Sequence, residues 1–140
     1  MRQLALVLIT ALLPCAAIAP TWAAEPAAAE AATQAFPDIS KADLEKAVAA
    51  KQVTLIDCNG SNSYSKGHIP GAIDFDVSGK ELAAHLPTDK QALVVAYCGG
   101  PQCGAYKEGA DAAKALGYTN VKHFSAGITG WKSAGGTVEK

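Results

Sequence analysis

The stretch Ala92-Leu93-Val94-Val95-Ala96-Tyr97-Cys98-Gly99-Gly100-Pro101-Gln102-Cys103-Gly104-Ala105 decides the reading of this chain. An apolar run ends in a cysteine, a glycine-rich loop closes on a second cysteine, and a helical-looking segment follows. Apolar runs of this length read as buried strands, and Gly-Gly-Pro is a strong breaker. The pattern predicts a strand, a tight loop and a helix start, with Cys98 at the strand's end. Inward-pointing loop N–H groups and the partial positive charge of a helix start favour a thiolate. Cys98 is therefore expected to have a lowered pKa and to act as a nucleophile.

Upstream, Val53-Thr54-Leu55-Ile56-Asp57 is a β-branched run that predicts a second central strand, broken by Cys58-Asn59-Gly60. Ser40 with Asp43 has capping-box spacing and opens a packing helix through Leu44 and Val48. Ser61 to Lys66 predicts a short helix anchored by Tyr64. Gly67-His68-Ile69-Pro70-Gly71 predicts a turn, with a short strand over Ala72 to Phe75 and a helix from Gly79 to His85. Downstream, a small-residue helix is expected from Ala105 to Leu116, stopped by Gly117. A strand over Thr119 to Phe124 and a last short helix around Trp131 complete the pattern. Short strands alternating with helices predict an α/β domain with a mostly parallel sheet, whose ligands bind beyond the strands' carboxyl ends. Cys58 and Cys98 both fall at such ends.

With 140 residues and a net charge of −1, the chain is sized for one domain and shows no electrostatic preference for nucleic acid or an anionic membrane. Arg2 is its only arginine. Leu4 to Ile18 is an apolar core after Arg2, shorter than the roughly 20 residues of a membrane span, and Thr21-Trp22-Ala23 offers small residues for a signal peptidase. Residues 1–24 are expected to be a signal peptide and 25–37 an Ala-rich linker. Residues 38–140 are expected to form the folded domain, exported to a bacterial periplasm or secreted, without stable membrane insertion after cleavage. The alternatives are an uncleaved anchor, or a lipoprotein site at Cys15 that Pro14 disfavours. Cleavage leaves Cys58, Cys98 and Cys103, an odd number that cannot pair completely within one chain.

Four blocks in order resemble a single rhodanese domain. They are Leu55-Ile56-Asp57-Cys58-Asn59, Gly67-His68-Ile69-Pro70-Gly71-Ala72, Tyr97-Cys98 with its loop, and Gly117-Tyr118-Thr119-Asn120-Val121 with Gly127-Ile128-Thr129-Gly130-Trp131. The resemblance implies a three-layer α/β domain with a five-stranded sheet flanked by helices. It also implies sulfurtransferase chemistry, in which Cys98 carries sulfane sulfur as a persulfide from a small donor to a thiol or other nucleophilic acceptor. The backbone of Gly99, Gly100, Gln102, Cys103 and Gly104 is expected to cradle that sulfur; Pro101 offers no N–H. No metal or cofactor is implied, the partners are a small sulfur donor and a small-molecule or protein thiol, and a monomer is expected.

Two departures from the family pattern matter. Cys103 stands where thiosulfate-using members carry Arg or Lys, so thiosulfate lacks its usual cation, and Lys107 is the nearest candidate anion contact. Asn59 stands where the family places a structural arginine, and is expected to hydrogen-bond locally. Phosphoryl transfer on such a loop needs a terminal arginine, which is missing here.

Other readings stay open. Cys103 is either a redox partner of Cys98, making a thiol–disulfide protein, or a small filler. Cys58 reads as a small apolar residue at a strand end, and a zinc site lacks C-x2-C spacing. His68 is expected to brace its turn, His85 and His123 to be surface or strand residues, and Trp131 to anchor the core. A non-catalytic module that kept the fold is the remaining alternative.

Overall fold

The structure, a computed structural model, describes residues 36–140; the expected signal peptide and all of the linker before Phe36 lie outside them. Four strands, β1 (Val53–Asp57), β2 (Ala72–Asp74), β3 (Leu93–Tyr97) and β4 (Val121–Phe124), form a wholly parallel sheet in the order β2-β1-β3-β4. Six helices connect and cover them: α1 (Lys41–Ala49), α2 (Ser61–Tyr64), α3 (Phe75–Ser78), α4 (Leu82–His85), α5 (Tyr106–Ala115) and α6 (Gly127–Ser133).

The strands are read correctly because their side chains alternate between two apolar layers. Ile56, Val94, Ala96 and Cys98 face one cluster, closed by Leu82 and Leu86 and by Tyr106, Ala110 and Ala113 of α5. Leu55, Val95, Tyr97 and Phe124 face the other, closed by Leu44 of α1 and by Ile128 and Trp131 of α6. Each fully buried Leu or Val contributes about 1.5–3 kcal/mol. Sheet and helices thus make the three layers the sequence implies.

Three expectations need correction. The sheet has four strands instead of five. The segment before α1 touches β4 through one parallel bridge, Asp38 to His123, in which Ile39 N–H donates to His123 O at 2.9 Å and His123 N–H donates to Pro37 O at 2.9 Å. Pro37 has no N–H to extend the ladder, and Ser40 turns the chain into α1 by accepting from Asp43 N–H at 3.1 Å. The strand expected to reach Phe75 stops at Asp74, whose carboxylate accepts from Asp76 N–H at 3.0 Å and caps α3. The helix expected from Gly79 therefore starts earlier, passes through a 3-10 turn at Gly79–Glu81 and resumes as α4. His123 is a strand residue of β4, as expected, and is buried with its ring stacked on Tyr106 at 3.4 Å, while His85 is exposed, also as expected.

The helix α5 lies unusually close to the sheet. A Cβ at Gly109 would meet Cys58 Sγ at 2.7 Å and Ile56 Cγ2 at 2.8 Å. Only glycine at this position lets α5 approach the end of β1 so closely.

A buried polar network joins those ends. Asp57 accepts from Tyr97 Oη at 2.7 Å on one oxygen, and from Asn59 N and Nδ2, both at 2.8 Å, on the other. Asn59 thus bonds locally, as expected. Tyr97 Oη also accepts from Ile69 N–H at 3.1 Å. The turn at Ile69 is further held by His68, whose Nδ1 bonds Tyr64 O at 3.0 Å and whose ring stacks on Tyr64 at 3.6 Å. Trp131 packs edge-on to Phe124 and donates to Thr137 O at 2.7 Å, confirming it as a core anchor.

Tyr97→Phe should lower stability by about 1–3 kcal/mol, because it strands a buried carboxylate oxygen and the Ile69 N–H. Urea unfolding measures this as a lower midpoint at unchanged slope. A loss below about 0.5 kcal/mol, within the range of an ordinary surface substitution, would remove the network from its structural role.

Candidate active site

Cys98 leaves the end of β3 fully buried, at the floor of the loop that runs to α5. Its carbonyl accepts from Ile128 N–H at 2.9 Å and that of Gly99 from Thr129 N–H at 3.2 Å, so the first turn of α6 clamps the loop. The clamp depends on Gly127, at φ 59°, where a Cβ would meet Cys98 O at 2.4 Å and Gly100 N at 2.6 Å. Cys103 N–H donates to Gly100 O at 3.0 Å and folds the loop back on itself.

This turn brings the two loop cysteines together. Cys98 Sγ–H donates to the Cys103 carbonyl oxygen at 3.1 Å. The cradle expected around one sulfur is divided between two. The amides of Tyr106 and Gly100 point at Cys98, and those of Ala105 and Gly99 at Cys103. Ala105 and Tyr106 carry no signal in the loop motif itself; the helix start supplies half of the cradle.

The expected lowering of the Cys98 pKa is overturned. Burial pushes it up, as does its hydrogen bond to Cys103, and both outweigh the amides of Tyr106 and Gly100. Burial also opposes ionisation of half-buried Cys103, but the bond from Cys98 and the amides of Ala105 and Gly99 bring it below the ordinary thiol value. The two thiols titrate as a coupled pair that shares its first negative charge, with ionisation favoured at Cys103 over Cys98.

Cys58 lies beside Cys98. Cys58 N–H donates to Tyr97 O at 2.9 Å, continuing the β1–β3 register by one residue, and both side chains enter the same apolar cluster. Burial raises its pKa to about 12, against an amide hydrogen bond from Gly109. It remains a thiol, as a small apolar residue would.

The loop after Cys98 borders a shallow cavity of about 470 Å³, lined by Gly99, Gly100, Pro101, Gln102, Cys103 and Thr129 but not by Cys98 itself. None of these side chains is cationic. Lys107 is exposed in the first turn of α5 and is not among the lining residues. Thr129 is an addition from the far end of the chain. Among the described residues no group of three or more His, Cys, Asp or Glu side chains is arranged to hold a metal ion.

The profile of the rhodanese-like domain matches residues 40–134, from the cap of α1 to the end of α6. The chain belongs to the rhodanese-like family. It is 35% identical over 105 residues to the HTH-type transcriptional regulator Rv0324 of Mycobacterium tuberculosis, covering 73% of this chain but only 44% of that regulator. Among solved structures, the BH2092 protein of Bacillus halodurans is 25% identical with a TM-score of 0.58, over 74% of this chain and 77% of that one. The human single-domain sulfurtransferase TSTD1 shares the fold at 20% identity and TM-score 0.54, over 69% of this chain and 96% of that one. In this rhodanese-like domain no helix among the described residues is long and apolar enough to cross a membrane.

Alkylation should follow the shared thiolate. Cys103 should react with iodoacetamide at a lower pH than an ordinary thiol, with Cys98 following only at higher pH, since the thiolate is the nucleophile. Mass mapping of peptide 91–107 across a pH series measures the order. Prior modification of Cys98 would reverse the assignment.

Proposed function

We propose that the chain is an exported sulfurtransferase in which Cys98 carries sulfane sulfur. The observation that supports this most is the enclosed Cys98 sulfur at the end of β3, met by amides of the loop and of the α5 start. These amides partly offset the cost that burial puts on an anionic sulfur at Cys98, and they do so without a metal. The Cys98 thiolate attacks the outer sulfur of a donor persulfide or polysulfide and expels the donor thiolate. An acceptor thiolate then takes that sulfur and regenerates Cys98.

The cavity lining bears on the donor. With no cationic side chain there, a thiosulfate dianion would rely on amides alone, whereas a persulfide needs no such counter-charge. Incubation with glutathione persulfide should add about 32 Da, one sulfur, to peptide 91–107, most durably when Cys103 is serine. Thiosulfate at equal concentration should load at least about tenfold more slowly. Cys98→Ser should abolish loading; loading that survives this change would sink the proposal.

Export rests on Arg2, the apolar core Leu4 to Ile18, and Thr21 with Ala23. Expression of the full chain in a bacterium with cell fractionation should recover a periplasmic protein beginning near Ala24. An unprocessed chain in the cytoplasm would overturn this part.

A further inference from the structure

Two thiols share the loop, and the sulfur-carrier role uses only one of them. We propose that Cys103 resolves the Cys98 persulfide by attacking the Cys98 sulfur, releasing hydrosulfide and leaving a Cys98–Cys103 disulfide. This rests on Cys98 loading as described above, and extends the site from sulfur transfer to sulfane reduction.

The placement of the two sulfurs carries the argument. Cys98 is fully buried beneath the loop, whereas Cys103 is half-buried and lines the cavity beside it. Of the two thiols, Cys103 is therefore the one open to solvent. Cys98 Sγ–H already reaches the Cys103 carbonyl at 3.1 Å, and the Cys103 N–H to Gly100 O turn folds the loop so that the two cysteines stay together. The amides of Ala105 and Gly99 favour negative charge at Cys103, whereas at Cys98 burial outweighs the amides of Tyr106 and Gly100.

Cys103 thiolate can meet the persulfide at either sulfur. Attack on the outer sulfur expels Cys98 as a thiolate, into a position where burial opposes charge. Attack on the Cys98 sulfur expels hydrosulfide, a small anion that leaves into water. Thiol exchange is faster when the leaving sulfur is the more acidic, so the second route is favoured.

The step balances without an outside oxidant. A protonated persulfide on Cys98 and a Cys103 thiolate become a Cys98–Cys103 disulfide and hydrosulfide. The bond between Cys98 and the sulfane sulfur breaks with both electrons going to the departing sulfur, which keeps its proton. The two cysteines are oxidised together by two electrons. A further turnover requires a dithiol to reduce the disulfide. Cys58 is the natural control: it neighbours Cys98 in register, yet burial pushes its thiol pKa up to about 12.

The test uses the reduced full-length chain under anaerobic conditions with one equivalent of glutathione persulfide. Parent, Cys103→Ser, Cys58→Ala and Cys98→Ser are compared for hydrosulfide and for the mass of peptide 91–107, which contains both loop cysteines. The parent and Cys58→Ala should release about one hydrosulfide per chain and show a peptide lighter by about 2 Da, restored by dithiothreitol. Cys103→Ser should instead keep the added sulfur and release at least about tenfold less hydrosulfide. A parent that holds its persulfide as long as Cys103→Ser does would overturn the proposal. So would release lost in Cys58→Ala but kept in Cys103→Ser. If no variant gains sulfur, Cys98 loading itself fails, and the resolving step falls with it.

Discussion

The active end of this domain depends on one buried carboxylate. Asp57 sits at the end of β1 with its oxygens taken by the Tyr97 hydroxyl and by two N–H donors of Asn59. A carboxylate removed from water is costly unless hydrogen-bonded, and here the bonds come from the neighbouring strand and from the loop after β1. Because Tyr97 directly precedes Cys98, the bond that satisfies Asp57 also fixes where β3 ends. The same hydroxyl accepts from Ile69, so the turn before β2 is tied to that point. Three chain segments are positioned by one group, and an asparagine holds it where the family pattern has an arginine.

The second constraint is steric. Gly109 lets α5 lie against β1, and Gly127 lets α6 begin against the backbone of Cys98 and Gly100. These contacts press two helix starts onto the loop from opposite layers of the sheet. The loop conformation follows from its neighbours as much as from its own glycines.

Much of this was legible in the residues. The β-branched run at Val53 to Asp57 and the apolar run ending at Tyr97 are strong local signals, and both strands lie where they predict. The four-block order carried the fold. What escaped depends on contacts between distant segments. The fifth strand reduces to one bridge because Pro37 and Ser40 flank Asp38, a detail that a family resemblance overrides. The helix beginning at Phe75 hinges on a cap by Asp74, which in sequence sits inside a strand-like run. The ionisation of Cys98 ran opposite to expectation because sequence shows the loop amides but neither the depth of burial nor the partner thiol. Likewise Thr129 reaches the cavity only through the fold.

The close seat of α5 constrains how sequences of this kind can change over time. Any side chain at position 109 collides with Cys58 and Ile56 together, so the order of substitutions matters. Bulk must first be given up at 56 and 58 before a methyl can be gained at 109. Each of those first steps opens a void in the layer beneath the loop, at a cost that grows with the cavity left behind. The three positions therefore form a small epistatic unit that resists drift one residue at a time. It holds Cys58 beside Cys98 for reasons of packing alone, whatever the chemistry of its thiol.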